Sequence, residues 1–213
     1  MSETPLAQFI QLTETAWLQQ HQHLPVTDRD EPSPALRQPH QTDGLCYWQA
    51  SPMAPNADLF ENVATALELP LHSDLTRFYG QFYAGSLLFD AEFGRGELLQ
   101  VWNDEDLQRL QENLIGHLLM KRKLKQAPTL FIGLLGQGEQ MIVLDNDDGS
   151  VWLEIPGQSP DQQLAPTLHQ FLALLTPRLQ TPEPQPEEPA MAAMSLSARL
   201  GAMWQHLMSW RKR

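Results

Sequence analysis

The sequence predicts an α+β domain, an antiparallel-rich sheet with packed helices, followed by a linker and a C-terminal amphipathic helix. Three observations predict it. Pairs of short apolar runs meet at turn residues, as hairpins do: QMIVLDN and SVWLEI join through Asp147-Asp148-Gly149, and SLLFDAEF meets GELLQVW across Gly94 and Gly96. Leu107, Leu110, Leu114 and Leu118 recur at helical spacing, one buried stripe of a long helix. TPEPQPEEP (181–189) has a composition that stays extended and packs against nothing. The expected units are an α+β domain over 1–179, a Pro/Glu-rich linker over 180–190 and a basic amphipathic helix over 191–213.

Taken in order, Ser2 and Pro5 suit the cap and first turn of a helix that turns Leu6, Phe9, Ile10, Ala16 and Trp17 inward. Residues 23–44 hold four prolines among polar residues and read as a long irregular connection. LCYWQA (45–50) reads as a short strand, and DLFENVATALEL (58–69) as a helix stopped by Pro70. DLTRFYGQFYAG (74–85) is ambiguous, because its aromatics come in adjacent pairs that neither period requires. Asn103 caps the long helix, and Asp104, Glu105 and Asp106 occupy its first turn, where the helix dipole favours anions. Lys121, Arg122, Lys123 and Lys125 close it as a solvated basic end. Gly116 within it costs about 1 kcal/mol against alanine, which predicts a close neighbour there. After Pro128, TLFIGLL (129–135) is a buried strand, and residues 166–176 form a closing helix with Leu168, Phe171, Leu172 and Leu175 inward.

The formal net charge is −12, which argues against nucleic acid and for a basic partner surface. The charge is uneven: residues 1–120 hold 5 Lys/Arg against 17 Asp/Glu, whereas 191–213 hold four cations and no acid. A single cysteine, Cys46, rules out an internal disulfide framework and fits a reducing compartment. The N-terminus lacks the basic and apolar regions of a signal peptide, and no run has the ~18 apolar residues of a spanning helix.

No catalytic or cofactor signature emerges. His117 on a leucine-rich helix has no evident nucleophile or orienting partner, so it reads as a hydrogen-bonded structural residue. The scattered histidines lack metal-ligand spacing. The aspartates of 145–149 fail as a calcium loop because Pro156 stands where a bidentate glutamate is needed. Gly133, Gly136 and Gly138 lack the Lys-Ser/Thr of a phosphate-binding loop. No metal, cofactor or small-molecule substrate is expected.

The stretches FYGQFYAGSLLFDAEFG and LLQVWNDEDLQRLQENLIGHLLMKRKLKQAPTLFIG, with Tyr47-Trp48-Gln49 upstream, strongly resemble the Syd family of SecY-interacting proteins. The resemblance covers about residues 1–178 and leaves 181–213 unexplained. It implies a SUKH-like α+β domain without enzymatic activity. It further implies an acidic face that binds basic cytosolic loops of SecY, the protein-translocation channel, to monitor or negatively regulate translocase assembly. The implied location is the cytoplasmic side of the cell inner membrane, as a peripheral protein, and otherwise the cytoplasm. A SUKH-type immunity protein that neutralises a toxin is the alternative, which the Syd-like stretches argue against.

The residues expected to make the contact are Asp90, Glu92, Glu97, Trp102, Asp104, Glu105 and Asp106, with Phe82 and Tyr83. Beyond the linker, Leu196, Leu200, Met203, Trp204, Leu207, Met208 and Trp210 fall on one broad helical face, followed by Arg211, Lys212 and Arg213. Apolar residues with two tryptophans and a basic end describe a helix that lies on a membrane surface. Folding back onto the acidic domain is the alternative.

Overall fold

The computed structural model describes residues 4–29, 31–39, 45–136 and 140–181. The linker beyond Thr181 and the amphipathic segment lie outside the described residues. The order is α1 (Pro5–His21), β1 (Val26–Thr27), β2 (Leu36–Pro39), β3 (Cys46–Trp48), β4 (Ser51–Pro52), α2 (Glu61–Leu67), α3 (Ser73–Tyr79), β5 (Phe82–Tyr83), β6 (Leu87–Ala91) and β7 (Gly94–Leu98). Then follow α4 (Asp104–Lys123), β8 (Thr129–Leu135), β9 (Gln140–Asp145), β10 (Val151–Glu154), β11 (Gln162–Ala165), α5 (Leu168–Ala173) and β12 (Thr176–Pro177). The fold is α+β, built on a seven-stranded antiparallel sheet ordered β11-β10-β9-β8-β7-β6-β12.

The central strands are apolar without alternation because both faces are covered: every residue of β8 is buried. The Tyr79 hydroxyl donates to the Phe131 carbonyl (3.0 Å), which fixes α3 to that strand. Gln111 ties α4 to α2, donating to the Leu59 carbonyl (2.7 Å) and accepting from Asn62 (2.8 Å). Most of the core is one cluster between helices and sheet. A small second one joins Trp17, Val26 and Leu45, with Leu179 against it.

Several expectations need correction. Thr4 is the cap of α1, accepting from the Ala7 N–H (3.2 Å), and Thr13 rather than Ala16 is buried on its inner face. The proline-rich connection forms β1 and β2 on either side of β3, where Trp48 N donates to the Pro25 carbonyl and Gln49 N to that of Ala35. The ambiguous stretch divides into α3 and β5. In the first hairpin Ala91 pairs with Gly94, so Glu92 and Phe93 make the turn and Gly96 lies within β7. A Cβ on Gly96 would stand 2.4 Å from the Phe89 ring and 2.5 Å from the Leu134 carbonyl, so glycine is needed there for close approach. Gly116 is exposed and a Cβ there would meet nothing within 4 Å, so close packing does not explain it. Among the described residues no helix is long and apolar enough to cross a membrane.

Candidate protein-interaction surface

Helix α4 organises the charged residues. Its N-cap is Asn103, whose side chain accepts from the Asp106 N–H (2.9 Å) and donates to the Pro32 carbonyl (2.9 Å). The helix phase then separates the acidic triplet. Asp104 and Glu105 point outward, whereas Asp106 falls on the face of Leu110 and Leu114 and is 2% exposed. Its carboxylate accepts from Trp102 N (3.0 Å), Arg29 Nη1 (3.2 Å) and Arg109 Nη2 (3.1 Å). The Arg29 guanidinium also lies 5.3 Å from the centre of the Trp102 ring. That ring is fully buried, with Nε1 donating to the Glu31 carbonyl (2.9 Å). Arg29 and residues 31–33 are thereby strapped over Trp102, and the Ser33 hydroxyl donates to the Trp102 carbonyl.

Three residues expected at a partner contact are therefore structural. Trp102 is core, Asp106 is occupied by two arginines, and Glu97 is buried on β7 at 7% exposure. The remaining six keep solvent access. Glu105 is 86% exposed in its side chain, and Tyr83 donates its hydroxyl to Asp104 Oδ1. That hydrogen bond, with lesser help from partial burial and the Asp104 charge, pushes the Tyr83 phenol up to about 12. Phe82 is half-buried beside it, and Glu31, which the sequence reading omitted, is 49% exposed nearby on the strap.

Asp90 and Glu92 form a separate group at the β6–β7 turn. Asp90 pairs with Arg95 (3.1 Å) and approaches Arg178 (3.8 Å), while Glu92 is exposed. Asp90 stands opposite Arg95 in register, and the chain must run from Arg95 beyond Leu98 to reach Asp104. The two acidic groups thus lie on different elements, the β6–β7 turn and the start of α4.

The other end of α4 holds a buried polar cluster. Lys121 Nζ donates to Glu154 Oε2 (2.8 Å), and so does the Thr129 hydroxyl (2.8 Å). Because Thr129 donates to glutamate, its oxygen accepts from His117 Nε2 (3.0 Å), which selects the Nε2–H tautomer of a neutral imidazole. Burial first, and then the Lys121 charge, lower the His117 pKa to about 3. Burial raises the Glu154 carboxyl against the opposing pull of Lys121 and Thr129. All four side chains are sealed from solvent, so the cluster presents no group to a substrate. It is a strut between α4, β8 and β10. Among the described residues no group of three His, Cys, Asp or Glu is arranged to hold a metal ion.

Fold and charge distribution together define an α+β protein that spends its buried ions on joining helix to sheet and leaves separate charged surfaces at the two ends of α4. A family model described as Syd protein (SUKH-2) matches residues 3–177. Protein Syd of Shewanella baltica strain OS155 is 52% identical over 150 residues, covering 70% of this chain and 69% of its own. Protein Syd of Shewanella loihica is 49% identical over 154 residues (71% and 70%), and that of Shewanella denitrificans 44% identical over 180 (82% of each). The chain belongs to the Syd family.

Proposed function

We propose that this protein is a non-enzymatic interaction protein. It docks through exposed acids on basic cytosolic loops of the SecY translocation channel, at the cytoplasmic face of the inner membrane. The observation that supports this reading best is the solvent-facing group at the start of α4: Asp104 with its Tyr83 partner, Glu105, Phe82 and the nearby Glu31. Asp90 and Glu92 offer a second acidic contact at the hairpin tip. Two acidic groups on separate elements suit an extended basic loop better than a point ligand. Binding would monitor or restrain translocase assembly, and the C-terminal segment, from Leu196 through Trp210 to Arg213, would rest on the bilayer and raise the local concentration of the domain. Toxin neutralisation is not favoured, since the matched relatives are named Syd.

Exposed ionic contacts weaken as salt shortens the screening length from ~10 Å at 0.1 M to ~3 Å at 1 M. Charge reversal by Asp104→Lys with Glu105→Lys should weaken SecY binding in proteoliposomes about ten-fold or more with thermal stability retained. Affinity indifferent both to salt and to that reversal would defeat the acidic-docking reading.

A further inference from the structure

The last turn of α4 carries a feature that the acidic contact does not use. Arg122, Lys123 and Lys125 are all exposed, and none of them forms an ion pair among the described residues. Arg122 is steadied by donating to the Leu67 carbonyl at the end of α2. Large apolar side chains stand with these cations: Leu119 is 48% exposed and Leu124 40%. Gln126 donates to the Gly157 carbonyl (3.1 Å) and Lys121 approaches that of Gln158 (3.5 Å), which brings the 155–158 loop beside the helix end. That loop begins with Ile155, 37% exposed.

We infer that this patch is a docking surface for an anionic lipid bilayer. Charge complementarity selects the occupant. Within a chain of net charge −12, cations interleaved with exposed leucines match phosphate headgroups above an acyl layer. The acids at the start of α4 do not defeat the attraction. Helix α4 has 20 residues and so separates the patch from Asp104 and Glu105 by about 30 Å, well beyond a physiological screening length of ~8 Å. Lys121, turned inward to Glu154, holds the helix end rigidly in place and leaves its neighbours to face the lipid.

This inference rests on the peripheral attachment proposed above but not on the SecY contact, so vesicles without translocase test it separately. The full chain is floated with vesicles of phosphatidylcholine and phosphatidylglycerol in equal amounts, and with phosphatidylcholine alone. The background variant neutralises the tail by Arg211→Gln, Lys212→Gln and Arg213→Gln, with Trp204→Ser and Trp210→Ser. In that background, residual binding to the anionic vesicles is expected. Lys123→Gln with Lys125→Gln should lower it by about five-fold per cation. Leu119→Gln should weaken it further while the thermal midpoint stays unchanged. The proposal is overturned if the tail-neutral protein does not bind, if the lysine variants bind as tightly as their parent, or if the patch retains a polyuridine strand but no vesicle.

Discussion

The first and last turns of α4 are each a run of like charges, and the helix treats them alike. In the first turn Asp104 and Glu105 face water while Asp106 turns inward to two arginines. In the last, Arg122 and Lys123 face water while Lys121 turns inward to Glu154. The inward pair share the phase of Leu110, Leu114 and Leu118. The difference lies in what each anchors. Asp106 stays within the rim of the domain and holds a neighbouring loop, using partners 16% and 34% exposed. Lys121 crosses to the sheet, where both partners are sealed. A charge run is thus no uniform surface; helical phase converts one member to structure and leaves the others for contact.

The largest expected effect lies at the sealed end. Lys121→Met leaves Glu154 charged and unpaired in the core, and should cost about 3–5 kcal/mol in urea unfolding. Adding Glu154→Leu should recover much of that loss, because a packed apolar pair avoids the desolvation of both ions. A single variant losing less than about 1 kcal/mol would erase the contrast between the two ends. At the rim, Asp106→Ala should cost about 2–3 kcal/mol through its lost charged hydrogen bonds. It should also release the strap, detectable as faster trypsin cleavage after Arg29. Unchanged cleavage would separate Asp106 from the strap.

His117 sharpens the comparison through pH. Its folded pKa near 3 lies below the usual 6.5, so the unfolded chain binds more protons between those values. The stability from keeping His117 neutral is full above about pH 6.5 and is lost progressively as pH falls toward 3. Between pH 7.5 and 5 the loss is about 2 kcal/mol. Glu154 acts oppositely: its raised carboxyl contributes stability below its ordinary pKa of 4.5, lost as pH rises through the shifted value. His117→Gln should cost ~1–2 kcal/mol at neutral pH and flatten the acid-side slope. Parallel pH profiles for variant and parent would remove His117 from the cluster's electrostatics. The smallest effect is at Gly116, where alanine should stabilise by about 0.5–1 kcal/mol, since the added methyl meets nothing. A loss instead would reveal a packing constraint on the exposed face of α4.

Helix α4 was legible because its cap, acidic first turn and leucine stripe all agree. So were β8 and the Asp147-Asp148-Gly149 hairpin, whose Gly149 has φ +74 and lies under the His72 ring, where a Cβ would meet Cε1 at 2.4 Å. Strands β1 and β2 were not, because two to four residues among prolines carry no period; only their pairing with β3 defines them. Lys121 could have been found, since it follows Leu114 by seven positions and His117 by four, on the buried face. Its partner could not: Glu154 lies 33 residues further on, in a strand that no local signal joins to the helix. The exposure of the expected contact residues was only partly legible. Composition pointed to acids, but only three-dimensional packing removed Glu97, Trp102 and Asp106 from the surface and set the Glu31 carbonyl against Trp102.

The two residues of β12 have a further role as a seal. Thr176 pairs with Asp90 and Pro177 with Phe89, and Arg178 N donates to the Leu88 carbonyl. Without them the backbone of Leu88 to Asp90 would end the sheet as an open template for strands of other molecules. Proline suits the outermost row, having no N–H to offer a further neighbour. A chain cut just after Ala173 would therefore keep its main helices but expose this edge, and self-association rather than unfolding would be its first failure.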